Sequence, residues 1–239
     1  IKILDIRDTH EIGGPGKTLL ESFRLGDRER FDFQLAYFRS PGDTGESPFL
    51  AAASKLGMTV HAIPARSAYD PTQIWRLAEL VSAQRFDIVH PHEVSSDAVT
   101  LAMRSLRRVA IVSTVHGWIG NTAKDRAMNA LDRWALRYFD RVIAVSDRIR
   151  EQLVEAGVPA RRVRVLHNGI VLEKYTRQPG RGPLSYVPES MSRPLMVSIG
   201  RLSPEKGHAD LVAALAILAA KGRHISTVLA GDGPSRPEL

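Results

Sequence analysis

Two cations near the carboxyl end of the chain have the type and spacing needed to hold a phosphate. Arg201 and Lys206 lie between Gly200 and Gly207, after an apolar run typical of a buried strand and before a run with helical spacing. The amino end of a helix carries partial positive charge and free N–H groups, and glycine permits close approach of the backbone. The segment therefore predicts a phosphate or diphosphate site, with a solvated loop as the alternative.

A glycine-rich segment after the first predicted strand could also contact a phosphate. The residues concerned are Gly13, Gly14, Gly16 and Lys17. They do not form a P-loop, because Glu11 occupies the position of that motif's first glycine. We expect a loop that exposes N–H groups ahead of a helix beginning near Thr18, with a tight turn as the alternative. A P-loop phosphotransferase is accordingly disfavoured.

Histidines follow two further predicted strands. His90 and His92 flank a proline and precede Glu93, a set that could suggest a metal site. The intervening proline and the lack of an Asp-x-Asp pair favour a role in lining a cleft, or as ordinary loop residues. His116 ends the next strand, at the edge of the sheet where the glycine-rich segment also lies. Ligands of open α/β sheets bind at that edge, so His116 is a candidate site residue, with a structural histidine as the alternative.

Short apolar strands alternate with amphipathic helices through most of the chain. This alternation predicts a doubly wound parallel sheet that is covered by helices on both faces. We predict a Rossmann-like domain over residues 1–172, a proline- and glycine-rich linker over 173–193, and the start of a second domain over 194–239. The last segment is shorter than a typical domain, so we expect the second domain to be incomplete.

Composition limits the partners of the chain. Its 239 residues are 44% hydrophobic and 25% charged, the balance of a soluble globular protein. The net charge of +7 favours anionic partners, but no RNA-binding or zinc-finger motif supports nucleic acid. The absence of cysteine excludes a disulfide framework and a cysteine-based zinc site, and cytoplasm is the expected compartment.

The predicted helix from Ala123 to Phe139 combines an apolar stripe with several basic residues. The stripe, which we expect to be buried, consists of Ala127, Leu131, Trp134, Ala135 and Tyr138. The positive charges include Arg133, Arg137 and Arg141. We expect these charges to face solvent, with an anionic acceptor or a membrane surface as the alternative partner.

Six short motifs, taken together and in order, resemble those of the family-four retaining glycosyltransferases. They are Gly13-Gly14, Val115-His116-Gly117, Ala144-Val145-Ser146, Leu166-His167-Asn168-Gly169-Ile170, Gly200-Arg201-Leu202 with Lys206-Gly207, and Gly231-Asp232-Gly233-Pro234. The resemblance covers nearly the whole chain. It implies the GT-B architecture, in which two Rossmann-like domains face each other across a cleft, the first holding the acceptor and the second a nucleoside-diphosphate-sugar donor.

The resemblance also implies roles for individual residues. Arg201 and Lys206 match the pair that binds the donor diphosphate, and His116 matches the histidine that lines the reacting sugar. The Gly13-Gly14 loop matches one whose backbone reaches the donor phosphates. The further residues expected to contact substrate are Gly16, Lys17, Asn168, Gly200, Gly231 and Gly233. No catalytic metal and no cofactor beyond the donor are implied.

The sequence therefore predicts a metal-independent retaining glycosyltransferase that acts on a glycan, lipid-linked or small-molecule acceptor. The family's glutamate pair, which holds the sugar and ribose hydroxyls, has no counterpart in this chain, so we expect the chain alone to be inactive. The alternative is a non-catalytic binding module that recognises an anionic acceptor or the inner face of a membrane.

Overall fold

The computed structural model describes residues 1–8, 12–67, 70–118, 122–175 and 195–239. The chain divides into two compact units, Ile1–Val171 and Leu172–Leu239. Most of the predicted linker, residues 176–193, lies outside the described residues.

Seven parallel strands form one sheet in the first unit. In chain order they are β1 (Lys2–Ile6), β2 (Asp32–Arg39), β3 (Thr59–Pro64), β4 (Ile88–Pro91), β5 (Ala110–Val115), β6 (Arg141–Ala144) and β7 (Val163–Val165). Their order in space is β3-β2-β1-β4-β5-β6-β7. The direction of winding reverses between β1 and β4, and the carboxyl ends of strands at such a reversal form the crevice where open α/β sheets bind ligands.

Six helices connect these strands, and they form the predicted doubly wound α/β arrangement. They are α1 (Gly13–Leu25), α2 (Pro48–Lys55), α3 (Thr72–Gln84), α4 (Val94–Arg104), α5 (Ala123–Ala135) and α6 (Asp147–Glu155). Side chains of Ser47, Thr122 and Ser146 accept hydrogen bonds from the first turns of α2, α5 and α6 and so fix where these helices begin. No described helix is both long and apolar enough to cross a bilayer.

Two apolar clusters pack the helices on opposite faces of the sheet. Leu4 and Ile6 of β1 belong to the larger cluster, which includes residues of α3, α4 and α6. Leu35 and Tyr37 of β2 belong to the smaller cluster with residues of α1 and α2. Successive residues of a strand face opposite sides, so Asp5, between Leu4 and Ile6, points away from the larger cluster.

The structure corrects two predicted elements. Helix α1 begins at Gly13, five residues before the predicted start at Thr18, so most of the expected loop is its first turn. In α5 the predicted apolar stripe is largely exposed: the exposed fractions of Leu131, Trp134 and Tyr138 are 50%, 48% and 50%, and Ala127 is exposed as well. The buried residues of α5 are Asp132 and Ala135, because the helix is turned so that a neighbouring stripe faces the sheet.

The second unit contains one strand–helix–strand element. Strands β8 (Leu195–Ile199) and β9 (Ser226–Ala230) pair in parallel, and α7 (His208–Ala220) connects them. This is the order of elements predicted for the residues after 194.

Candidate active site

A cavity of about 390 Å³ opens at the carboxyl ends of the central strands of the first unit. Its polar end is formed by Asp5 of β1, His90 and His92 at the end of β4, and Thr114 and His116 at the end of β5. Its apolar walls come from α1, the start of β2, and the ends of β6 and β7, and include Leu19, Phe23, Phe33, Val145 and Leu166. The cavity therefore lies at the reversal point of the sheet, where the fold favours ligand binding.

Asp5 joins the two histidines of β4 into one hydrogen-bonded group. Nδ1 of His90 and Nε2 of His92 lie 2.9 and 3.0 Å from the same oxygen, Oδ1 of Asp5. Burial by itself would raise the pKa of Asp5, but the hydrogen bonds from both imidazoles lower it to about 2. Burial lowers the pKa of His92 to about 4, so near neutral pH its ring is uncharged beside an ionised carboxylate.

Asp5, His90 and His92 have side chains of the types that bind metal ions. One ligand atom each from Asp5, His90 and His92 lie within 4.8 Å of one another. Oδ1 of Asp5 already interacts with Nδ1 of His90 and Nε2 of His92, and Nε2 of His90 contacts the Thr114 hydroxyl at 2.8 Å. Protein hydrogen bonds thus account for the arrangement. His90 and His92 line the cavity, one of the two roles that the sequence favoured over metal binding.

Glu93 does not join the cavity. Its carboxylate accepts a hydrogen bond from Nε of Arg7 at 3.0 Å and another from the backbone of Asp8 at 3.2 Å. It also precedes α4, where its side chain and that of Ser96 cap the first turn. Glu93 therefore has a structural role, in which it pairs with Arg7 and caps α4.

His116 has a different environment from the other two histidines. Both of its ring nitrogens are buried and have no hydrogen-bond partner within the described ranges. Burial, followed by the positive charge of Arg7, lowers its pKa to about 4. A neutral imidazole can donate from one nitrogen and accept at the other, so His116 can bind a hydroxyl-bearing ligand in both senses.

The glycine-rich segment forms the amino end of α1 next to the same cavity, which Pro15 and Thr18 line. Gly13 and Gly14 are exposed, and among the described residues no acidic side chain lies in the first turn and no side chain caps it. The free N–H groups of the first turn are therefore open to an anion. Gly16 and Lys17 lie within the helix. Lys17 is exposed, whereas Gly16 is buried.

Gly16 serves packing as well. A Cβ at this position would overlap Nη1 of Arg7 and lie 3.2 Å from the Phe49 ring. The absence of a side chain therefore allows Arg7 to lie against α1, with its guanidinium 4.6 Å from the Phe49 centroid. Sequence reasoning assigned this glycine to ligand contact and did not predict the packing.

In the second unit, Arg201 and Lys206 are both exposed in the loop between β8 and α7. Their charges contribute to lowering the pKa of Glu205, although its first cause is a hydrogen bond from the Ser203 hydroxyl. His208, at the start of α7, is buried, and its Nδ1 has no partner within the described residues. No pattern in the residues around His208 predicts that this histidine is buried.

In the second unit, the glycine-containing loops that follow β8 and β9 are joined by backbone hydrogen bonds. The N–H of Gly200 donates to the carbonyl of Ala230 at 3.0 Å, and the N–H of Leu202 donates to that of Asp232 at 2.9 Å. A Cβ on Gly231 would overlap the Gly200 carbonyl, and one on Gly233 would overlap that of Leu202. These glycines permit close backbone approach and thereby shape the loop that carries Arg201.

Asn168 is a further residue that the sequence predicts to contact substrate. It is exposed after β7 and lines the cavity of the first unit together with His167 and Gly169. Of the predicted site residues, the structure thus brings His116, Asn168 and the start of α1 to one cavity. Asp5 was missed, although an aspartate between two apolar residues of a buried strand was an available signal.

Solved structures with this fold include glycosyltransferases. Anabaena HepE in complex with UDP and glucose has a TM-score of 0.73 at 18% identity, over 98% of this chain and 62% of that one. A glycosyltransferase from Rickettsia africae has a TM-score of 0.70 at 17% identity, over 99% of this chain and 62% of that one. The chain is an α/β protein of the GT-B fold class.

Sequence comparison gives the family. Residues 12–174 match the model of Glycosyltransferase Family 4, and the chain belongs to this family. It is 28% identical over 167 residues to a glycogen synthase of Mycobacterium tuberculosis, covering 65% of this chain and 38% of that protein. It is 30% identical over 126 residues to an alpha-D-kanosaminyltransferase of Streptomyces kanamyceticus, covering 49% of this chain and 32% of that protein. The chain thus spans well under half the length of these relatives.

Proposed function

We propose that the whole protein is a retaining glycosyltransferase that moves a sugar from a nucleoside diphosphate sugar to an acceptor hydroxyl. One observation carries this proposal. His116 places a buried, uncharged imidazole with two unpartnered nitrogens, among the described residues, in the cavity at the reversal point of the sheet. That group suits the hydroxyls of a sugar, and the uncapped start of α1 beside it suits a phosphate.

The donor is a nucleotide sugar. Anabaena HepE has been solved with UDP and with UDP-glucose, which supports a donor of this class. Arg201 and Lys206 bind its diphosphate, since both are exposed cations on the loop that leads into α7. Negative charge builds up on the diphosphate as the sugar bond breaks, and fixed cations stabilise that charge.

Transfer needs no metal ion and no cofactor in this proposal. Two cations supply the charge that a metal would otherwise bring to the leaving group. Addition of EDTA should therefore leave the rate unchanged. The acceptor, a glycan, a lipid-linked sugar or a small molecule, enters from the first unit, and residues 1–239 alone are inactive because the donor site needs further chain.

The proposal is tested in the full-length protein by Arg201→Ala. Loss of a group that stabilises transition-state charge should lower kcat/KM by about 100- to 1,000-fold. Arg201→Lys should recover only part of the rate, because lysine lacks the planar fork. Arg223→Ala, at an exposed arginine of the same unit, is the control. Transfer is measured with a panel of nucleotide sugars, and NMR of the product anomer tests retention. Unchanged activity and donor affinity in Arg201→Ala would refute the assigned role.

A second function, docking on an anionic membrane surface, is favoured by the groove between α4 and α5. We define the α4–α5 groove by Leu101, Ala102, Arg104, Leu131, Trp134 and Tyr138, which line a cavity of about 670 Å³. The centroids of the Trp134 and Tyr138 rings lie 5.0 Å apart, and both side chains are about half exposed. Tryptophan and tyrosine suit the level of lipid head groups.

Positive charge surrounds the apolar part of this groove. Exposed Arg107 and Arg108 follow Leu106, which is 49% exposed, and Arg137 and Arg141 are exposed near Tyr138. Apolar aromatic residues next to arginines complement a bilayer that carries anionic lipid. The protein would then act in the cytoplasm at the inner face of the membrane.

Vesicle sedimentation of the chain tests the membrane proposal. Binding to vesicles with phosphatidylglycerol, and not to pure phosphatidylcholine, should weaken with added salt. Trp134→Ser and Arg107→Glu with Arg108→Glu should each reduce binding, whereas Trp75→Ser, at an exposed tryptophan of α3, should not. Equal loss in the Trp75 and Trp134 variants, or no binding at all, would remove this function.

A further inference from the structure

Two buried carboxyl groups interact with each other beside Trp118, two residues after His116. Asp97 of α4 and Asp132 of α5 are 3% and 4% exposed. Each has a buried oxygen, Oδ1, that no hydrogen-bond donor reaches within the described residues. The side chains interact with each other, and Asp97 also faces the Ser113 hydroxyl of β5. Two adjacent carboxylates in an apolar interior repel strongly, so this arrangement calls for a proton between them.

The hydrogen bond between Asp132 and Trp118 indicates which of the two carboxyl groups carries the proton. Oδ2 of Asp132 accepts a hydrogen bond from Nε1 of Trp118 at 2.8 Å. Burial raises the pKa of Asp132, and the hydrogen bond from Trp118 and the charge of Arg133, whose guanidinium lies 4.4 Å from the Trp118 ring, oppose this rise. Burial, followed by the negative charge of Asp132, raises the pKa of Asp97, and Glu93 adds further negative charge to its surroundings. Asp97 is therefore the member that keeps the proton and donates it to Asp132.

Trp118 connects this pair to the candidate site. It follows His116 and Gly117 directly, and Gly117 adopts a φ of +116°, which only glycine adopts without strain. The ring of Trp118 is packed against the larger apolar cluster. Fixing the indole at one end of this three-residue turn therefore fixes the imidazole at the other.

We propose that Asp97 and Asp132 share one proton, and that this pair is a positioning element that holds Trp118 and thereby sets the place of His116 in the cavity. Asp97 and Asp132 are positioning residues and do not touch the substrate. The catalytic consequence rests on the proposed function, whereas the shared proton and the anchoring of Trp118 do not.

The first test needs no substrate. With Trp75 and Trp134 replaced by phenylalanine, Trp118 is the single tryptophan, and its fluorescence is excited selectively over that of the tyrosines. Its emission should change as the pH is raised and the shared proton is lost. Asp97→Asn keeps a donor to Asp132 but cannot ionise, so this change should disappear while the emission maximum at low pH is kept. An emission that titrates equally in both proteins would overturn the proposal.

A second measurement uses the unaltered chain and covers the case in which a variant fails to fold. Carboxyl ¹³C NMR with labelled aspartate should show one buried carboxyl that stays protonated at neutral pH, and its signal should vanish in Asp97→Asn. The titratable groups around the pair are Glu93, Arg133 and the two aspartates themselves. Only ionised aspartates at neutral pH would overturn the proposal.

The link to catalysis is tested in the full-length enzyme. Asp132→Leu removes the acceptor for Trp118 and should lower kcat by about 10- to 100-fold through misplacement of His116. Asp97→Asn should restore nearly all of the rate that Asp97→Leu loses, and its rate should no longer fall at alkaline pH. If Asp132→Leu folds and keeps full kcat while Trp118 emission titrates as expected, the positioning claim fails and the shared proton stands. An inactive parent enzyme would instead count against the proposed function.

Discussion

The imidazole rings of His92 and His116 are stacked, with their centroids 6.1 Å apart and their planes at 25°. His92 is held by Asp5, whereas His116 has no hydrogen-bond partner among the described residues. Within the pair, the ring of His92 is therefore fixed by a hydrogen bond, whereas the ring nitrogens of His116 have no such partner among the described residues. This relationship places the His116 imidazole, a candidate ligand group, on a rigid support at the reversal point of the sheet.

Replacing His116 should separate activity from stability. His116→Ala removes a ring whose nitrogens make no hydrogen bond within the described ranges, so we expect a change in Tm of only a few degrees. Transferase kcat/KM of the full-length protein should fall by about 100-fold or more. His224→Ala, at an exposed histidine, is the control. A large loss of Tm with unchanged kcat/KM would assign His116 to the fold instead.

Acid should destabilise the first unit in two stages. Burial lowers the pKa of His92 and of His116 to about 4, below the value of 6.5 expected in the unfolded chain. Their neutral forms therefore stabilise the fold above about pH 6.5, and this contribution is lost as the pH falls toward 4. Asp5, with a pKa of about 2, contributes stability that is lost between about pH 4 and pH 2.

Urea unfolding at a series of pH values measures both stages. His92→Gln should reduce the number of protons taken up on unfolding between about pH 6.5 and pH 4 by about one. Asp5→Asn should flatten the dependence below about pH 4, where the wild-type carboxylate accounts for about 2 kcal/mol. A His92→Gln curve parallel to that of the wild type would contradict the buried, neutral state of His92.

Two glycines of α1 should respond oppositely to alanine. At Gly16 a Cβ would overlap Arg7 and approach Phe49 to 3.2 Å, so Gly16→Ala should lower the free energy of unfolding by about 1 to 3 kcal/mol. At Gly14 nothing lies within 4 Å of the added atom, and alanine should stabilise the helix by about 0.5 to 1 kcal/mol. Denaturant midpoints of the two variants compare them directly. The same sign for both would show that the helix start differs from the structure described.

The ion pair of Arg7 and Glu93 should behave as a buried pair. Arg7 is 4% exposed and its Nε lies 3.0 Å from Glu93 Oε1. Glu93→Gln should lower the free energy of unfolding by about 3 kcal/mol, because it leaves a buried cation without its counter-charge. The double variant Arg7→Met with Glu93→Gln should recover most of this loss. Additive losses in the double-mutant cycle would show that the two groups are not coupled.

The order of strands and helices was predictable because hydrophobic periodicity is a local property. Alternating apolar strands and amphipathic helices indicated the parallel sheet, and glycine-containing turns at strand ends indicated candidate ligand sites. The start of α1 was missed because two glycines and a proline, typical of loops, form its first turn. The buried side of α5 was also wrong. The sequence of a helix does not reveal which of its sides packs against the rest of the fold, and here the buried side includes Asp132.

The sequence by itself determined the loop of Arg201 and Lys206 as a candidate anion site, His116 as a candidate ligand group, and the resemblance to glycosyltransferases. Only the tertiary structure brought Asp5 against His90 and His92, because strands β1 and β4 are neighbours in space and distant in the chain. It likewise decided that Asp97 and Asp132 face each other behind Trp118. These relationships arise from pairing and packing between distant segments, which residue types and spacing along one chain do not specify.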